Sequence, residues 1–66
     1  MRLRVNGELR EVDGVDVVAG LLEALAVAPD GVAVAVNGEV VPRGRRGEHP
    51  VREGDVVEVI RAVGGG

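Results

Sequence analysis

Met1, Leu3 and Val5 alternate with Arg2 and Arg4 at the start of the chain, the two-residue period of a strand with one wet face. Asn6-Gly7 follows, and both residues tolerate the positive φ angles of a type I′ turn, so a hairpin is expected. Glu8 to Val12 return as a second strand; Leu9 and Val12 fall on opposite faces, which places it at a sheet edge. After an Asp13-Gly14 turn the period lengthens, and Val17, Val18, Leu21, Leu22 and Leu25 share one stripe of a 3.6-residue repeat. Asp16 stands just before that stripe, where its carboxylate is expected to cap the helix. Gly20 lies inside it at a cost of about 1 kcal/mol against Ala, and close packing on the sheet is the expected reason. Pro29-Asp30-Gly31 is expected to stop the element.

Val32 to Val36 carries large Val on one face and small Ala on the other, which suits a central strand with the helix resting over one face. Asn37-Gly38 repeats the hairpin signal, and Glu39 to Val41 make a short strand halted by Pro42. Arg43 to Pro50 reads as a polar loop, and Glu53-Gly54-Asp55 turns into a last strand, Val56 to Ile60, with Val57 and Val59 inward. Two hairpins flanking one helix leave the first and last strands free to pair in parallel at the sheet centre. The expected class is α+β, a β-grasp (ubiquitin-like) fold with a mixed sheet of four to five strands and one packed helix. A ferredoxin-like split unit would need a second helix, for which there is no room. The expected division is a domain over residues 1–62 and a flexible glycine tail over 63–66.

Composition narrows the chemistry. Sixty-six residues make one domain at most, near the lower limit for a self-sufficient core. Without Cys there are no disulfides, thiolate metal sites or cysteine nucleophiles. A net charge of −3 and no aromatic residue argue against a nucleic-acid or anionic-membrane binder. Apolar runs fall far short of the roughly 20 residues a bilayer span needs, and the N-terminus lacks a signal-peptide pattern. The expectation is a cytoplasmic mini-domain. Sixteen valines stand in for the missing rings and lean the chain toward sheet.

The remaining chemistry lies at the end, Arg61-Ala62-Val63-Gly64-Gly65-Gly66. Terminal glycines by themselves simply fray. Leaving directly from the last strand of a β-grasp domain, they instead form a bare tail able to enter a narrow channel, because glycine permits close backbone approach. A terminal carboxylate must be activated before it can react, and this chain has no phosphate-binding loop with Lys to activate it. With no Ser–His or Cys–His pair either, it reads as a substrate or carrier acted on by other enzymes, not as an enzyme. Ile60, Ala62 and Val63 prolong the apolar character beyond what the core needs and, with Arg61, are the expected partner-binding residues. Arg43, Arg45, Arg46 and Arg52 read as a solvated basic loop balanced by Glu48 and Glu53, or else as a contact for an acidic partner surface. His49 reads as a loop residue.

Val5-Asn6-Gly7-Glu8, the Val17-to-Leu25 helix, Val36-Asn-Gly-Glu-Val-Val-Pro-Arg43, Glu53-Gly-Asp-Val-Val-Glu-Val59 and the terminal Gly65-Gly66 together resemble the small sulfur-carrier proteins of thiamine biosynthesis, the ThiS family. The resemblance covers nearly the whole chain. It implies adenylation of the Gly66 carboxylate by an E1-like adenylyltransferase that uses ATP, with no cofactor bound by the carrier itself. Sulfur from a cysteine desulfurase or another donor then leaves a terminal thiocarboxylate, which thiazole synthase accepts. A free carrier of this kind is expected to be a monomer. Relatives commonly carry an aromatic residue shortly after the Pro-Arg step, where this chain reads Arg43-Gly-Arg-Arg46. Two other readings share the pattern: a carrier for molybdopterin, cysteine or tRNA thiolation, and a ubiquitin-like binding module with an inert end.

Overall fold

The computed structural model describes residues 1–61. The tail boundary drawn between residues 62 and 63, and the glycines beyond it, lie outside the described residues. The strands are β1 (Arg2–Val5), β2 (Glu8–Glu11), β3 (Val32–Val36), β4 (Glu39–Val41) and β5 (Val56–Arg61), with one helix, α1 (Val18–Ala24), and a 3₁₀ turn at Arg43–Arg45. They form a single mixed sheet in the order β2-β1-β5-β3-β4. β1 and β5 pair in parallel and every other pair is antiparallel, so the expected β-grasp arrangement is the one observed. β5 is the central strand.

Both Asn-Gly steps adopt the predicted turn, with φ of 52° and 82° at Asn6 and Gly7 and the same pair of values at Asn37 and Gly38. Their asparagines do more than turn the chain. Beyond Val57, β1 has no backbone left to offer β5, because it has already turned at Asn6. The Asn6 side chain takes over: the Val59 N–H donates to its Oδ1 at 2.8 Å, and its Nδ2 donates to the Val59 carbonyl at 3.1 Å. At the other end of β5 the Val56 N–H donates to Asn37 Oδ1 at 2.9 Å. Two turn residues thus complete the ladder of the central strand.

The core lies between the sheet and α1. Leu3, Val5, Val34, Val36, Val41 and Val57 point inward from the strands to meet Val18, Leu21 and Leu22. Val12, Val15 and Val51 close its rim from the loops. Only Val and Leu occupy these positions, and their tight burial replaces the aromatic bulk that the sequence lacks.

A helix of seven residues is too short to persist without tertiary support. The structure supplies it at both ends. Asp16 does not cap the helix; Val17 is the N-cap, in extended conformation and with no side-chain cap bond. The helix N–H groups of Val18 and Ala19 donate instead to the carbonyls of His49 and Arg46, each at 2.9 Å. The Asp16 backbone carbonyl is itself used, accepting from Val51. A docked loop therefore satisfies the donors for which a capping carboxylate would compete. The helix also stops well before Pro29. Ala26 takes a left-handed φ of 58°, with its N–H on the Glu23 carbonyl and the Val27 N–H on the Leu22 carbonyl. That is a Schellman ending, with alanine where glycine is usual.

The basic loop is likewise not simply solvated. Arg46 is buried, its Nη1 and Nη2 donating to the carbonyls of Pro29 at 2.9 Å and Val32 at 2.5 Å. Arg43 pairs with Asp30. Arg45 pairs with Glu48 as expected, but Glu53 is turned to the Arg2 backbone N–H. Arg46 is thus a strut joining the loop to the start of β3, and its aliphatic stem fills the space between them.

Gly20 has no close neighbour: a Cβ built there meets nothing within 4 Å, so close packing does not explain it. Gly20→Ala should therefore raise stability by about 0.5–1 kcal/mol through helix propensity. Ala26→Gly should add a comparable ~1 kcal/mol by relieving the left-handed alanine; urea denaturation measures both. Arg46→Ala leaves two carbonyls unpaired beside a void, and the same assay should register a loss of about 2–3 kcal/mol. Asn6→Ala should cost ~2–3 kcal/mol, whereas Asn6→Gly restores the turn but not the Val59 bonds. In both Asn6 variants the Val59 amide should exchange hydrogen faster than the remainder of β5, which amide exchange by NMR resolves.

Candidate functional site

The sheet face turned away from α1 is where the molecule stays apolar without being covered. Residues paired across strands share a face, so register alone sorts the side chains. Arg4 lies opposite both Leu9 and Val56, Ala35 opposite both Val40 and Glu58, and Ala33 opposite Ile60. None of these belongs to the core set, whose strand members all point the other way. The large aliphatics that remain exposed among the described residues, Leu9, Val40, Val56 and Ile60, all lie on this outer face. Ala33 and Ala35 floor the space between Ile60 and Val40, and Arg4 and Glu58 are its charged neighbours.

Ile60, with 62% of its surface exposed, is the member of this face closest to the chain end. Its neighbour Arg61 sits opposite Val32 and so falls on the helix side of the sheet. Of the four residues expected to grip a partner, the two described ones therefore lie on different faces. Ile60 and Arg61 diverge to opposite faces, while Ala62 and Val63 lie outside the described residues, as do Gly64, Gly65 and Gly66. Sequence reading found Ile60 but not Leu9, Val40 or Val56. The signal available was the two-residue period continued across every strand, with the outward set scored for aliphatics.

The other candidates resolve into structural parts. His49 is half-buried, with Nε2 3.8 Å from Glu39 Oε1, and its backbone carbonyl receives the Val18 N–H. A groove of about 690 Å³ runs between α1 and the 3₁₀ turn past Arg43 and Arg46, but those two guanidinium groups are already engaged, by Asp30 and by backbone carbonyls. Among the described residues there is no cluster of His, Asp and Glu placed to hold a metal ion. No helix among them is long and apolar enough to cross a membrane. The described surface offers shape, aliphatic area and charge, which serve recognition more than bond making.

Comparison with known proteins gives this geometry a family. The crystal structure of the thiamine biosynthesis protein (ThiS) from Geobacter metallireducens superposes with a TM-score of 0.84 at 43% identity, covering 100% of both chains. The sulfur carrier protein ThiS of Thermus thermophilus is 39% identical over 62 residues, 94% of this chain and 95% of its own length. A thiazole synthase of Magnetococcus marinus is 39% identical over all 66 residues, and there the chain spans only 20% of the relative. The ThiS family model matches residues 3–66, and with full-length likeness in both sequence and fold the chain belongs to the ThiS family.

Proposed function

We propose that this chain is a sulfur carrier for the thiazole of thiamine, acting through the carboxyl group of Gly66. The observation that carries the reading is the uncovered aliphatic face of the sheet, which reaches Ile60 at the end of β5, the strand that leads into the glycines. A rigid domain with a sticky face beside a side-chain-free end suits successive docking on two enzymes. The full-length likeness to small sulfur carriers supports the pathway. So does the likeness to a fifth of a thiazole synthase, which places a domain of this kind in the same chain as that name.

The chemistry runs in two displacements. A Gly66 carboxylate oxygen attacks the α-phosphorus of ATP held by an E1-like adenylyltransferase, and pyrophosphate leaves. The terminal sulfur of a persulfide on a cysteine desulfurase or another donor then attacks the acyl carbon, AMP leaves and an acyl disulfide forms. A second thiol attacks the donor's sulfur, so that the donor is left as a disulfide and the end is released as a thiocarboxylate. Thiazole synthase takes the sulfur from there. The carrier contributes recognition and a clean acyl end. The chain has no Ser, Thr, Tyr, Cys or Lys, so no side-chain hydroxyl, thiol or ε-amine of its own can capture the activated acyl group.

Incubation with ATP, the adenylyltransferase of the same organism and a sulfur donor should raise the intact mass by the exchange of one oxygen for sulfur. A wild-type chain that stays unchanged, or equal exchange after deletion of Gly65 and Gly66, would falsify the carrier mechanism. Ile60→Asp should keep the fold by circular dichroism and raise the KM of adenylation by about tenfold or more, the scale of a single interface anchor.

A further inference from the structure

Five hydrophobic residues pack against the core without being fully enclosed: Met1, Leu25, Val27, Val32 and Val59. All but Met1 line one cleft of about 320 Å³ on the helix side of the sheet. The core is therefore open between the end of α1 and the outer end of β5. Arg10 and Arg61 also line that cleft, and among the described residues no carboxylate does. Neither arginine forms an ion pair among the described residues, in contrast to Arg2, Arg43 and Arg45. Glu8 shares the inner face of β2 with Arg10, yet no ion pair joins them. Two guanidinium groups without an ion pair among the described residues, beside an open apolar floor at the residue where β5 ends, form a surface of defined chemistry.

We infer that this cleft receives an acidic segment of the adenylating enzyme, an aliphatic or aromatic side chain on the floor with carboxylates reaching Arg10 and Arg61. The inference rests on the carrier reading and adds to it a second contact, on the face opposite Ile60. The two contacts differ in kind. The outer face is held by apolar area, whereas paired guanidinium groups act at longer range, steering the domain so that its end meets the entrance of the enzyme. Arginine suits this role because its planar fork binds a carboxylate through two parallel hydrogen bonds. The charge is also local. The chain as a whole carries −3, so an acidic partner surface would repel most of the domain and accept it at this cleft.

The test is steady-state adenylation by the adenylyltransferase of the same organism, at low and high ionic strength, for wild type, Arg10→Glu, Arg61→Glu and Arg10→Lys. For wild type, KM should rise with salt while kcat holds. Each reversal to Glu should raise KM about tenfold at low salt and flatten its salt dependence, with an unchanged urea midpoint showing that the fold is kept. Arg10→Lys should retain most of the wild-type affinity. Normal wild-type adenylation with unaltered KM and salt dependence in both Glu variants would overturn the cleft while leaving the carrier reading in place. A wild-type chain that is not adenylated removes both.

Discussion

The structure depends on the pairing of β5 along its whole length. As the central strand it joins the two hairpins, and it is also the strand that leads to the glycine end. β3 accompanies it from Val57 to Arg61, but β1 accompanies it only at Val56 and Val57. Without another partner the outer half of a central strand would carry unpaired backbone groups on one side, a costly state wherever water is excluded. The Asn6 amide resolves this by presenting an acceptor and a donor in the place of a peptide group. One residue therefore makes the turn that ends β1 and holds the segment of β5 just before Ile60.

A second constraint is size. In 66 residues with no aromatic side chain, core volume must come from many small contributions, so the loops are recruited as well as the elements. Val12, Val15 and Val51 lie outside every strand and helix and are nevertheless buried. The same economy explains Arg46. A long side chain with an aliphatic stem spans the gap between loop and sheet, and its two Nη groups donate to carbonyls that would otherwise need their own donors, while Nε is buried without a partner. The helix is docked in the same manner, its first donors taken by the backbone of the loop that Arg46 anchors. Loop, helix and β3 form one interlocked unit.

These tertiary substitutions mark the limit of what could be read in advance. Hairpins, strand faces and the parallel contact of first and last strands were legible because period and turn chemistry are local properties, and Asn6-Gly7 and Asn37-Gly38 behave as local rules require. The helix ends were not legible. Asp16 is a good cap by local preference, but carbonyls delivered from residues 46 and 49 took its role, and nothing near Asp16 announces them. Arg46 was misread as solvated because a charged residue in a Gly-rich loop is usually exposed. At the site, Ile60 was legible as an aliphatic beyond the needs of the core, whereas Arg10 was not. Its meaning depends on lying across the helix-side cleft from Arg61, a residue 51 positions away, which only the sheet order reveals.

The division of labour along β5 has a geometric consequence for the carrier reading. Five residues follow Arg61, and a fully extended chain of that length spans about 17 Å. The folded surface must therefore approach a reacting phosphorus to within roughly that distance, and an enzyme using this end works close to the root of β5. Ile60 on one side and Arg61 on the other are the residues that such an enzyme meets first. A strand held by β3 and Asn6 presents them in fixed relative positions, which reduces the entropy lost on docking. Rigidity at the root and freedom from side chains in the last three residues are complementary requirements: the first sets where the end is aimed, and the second lets it enter.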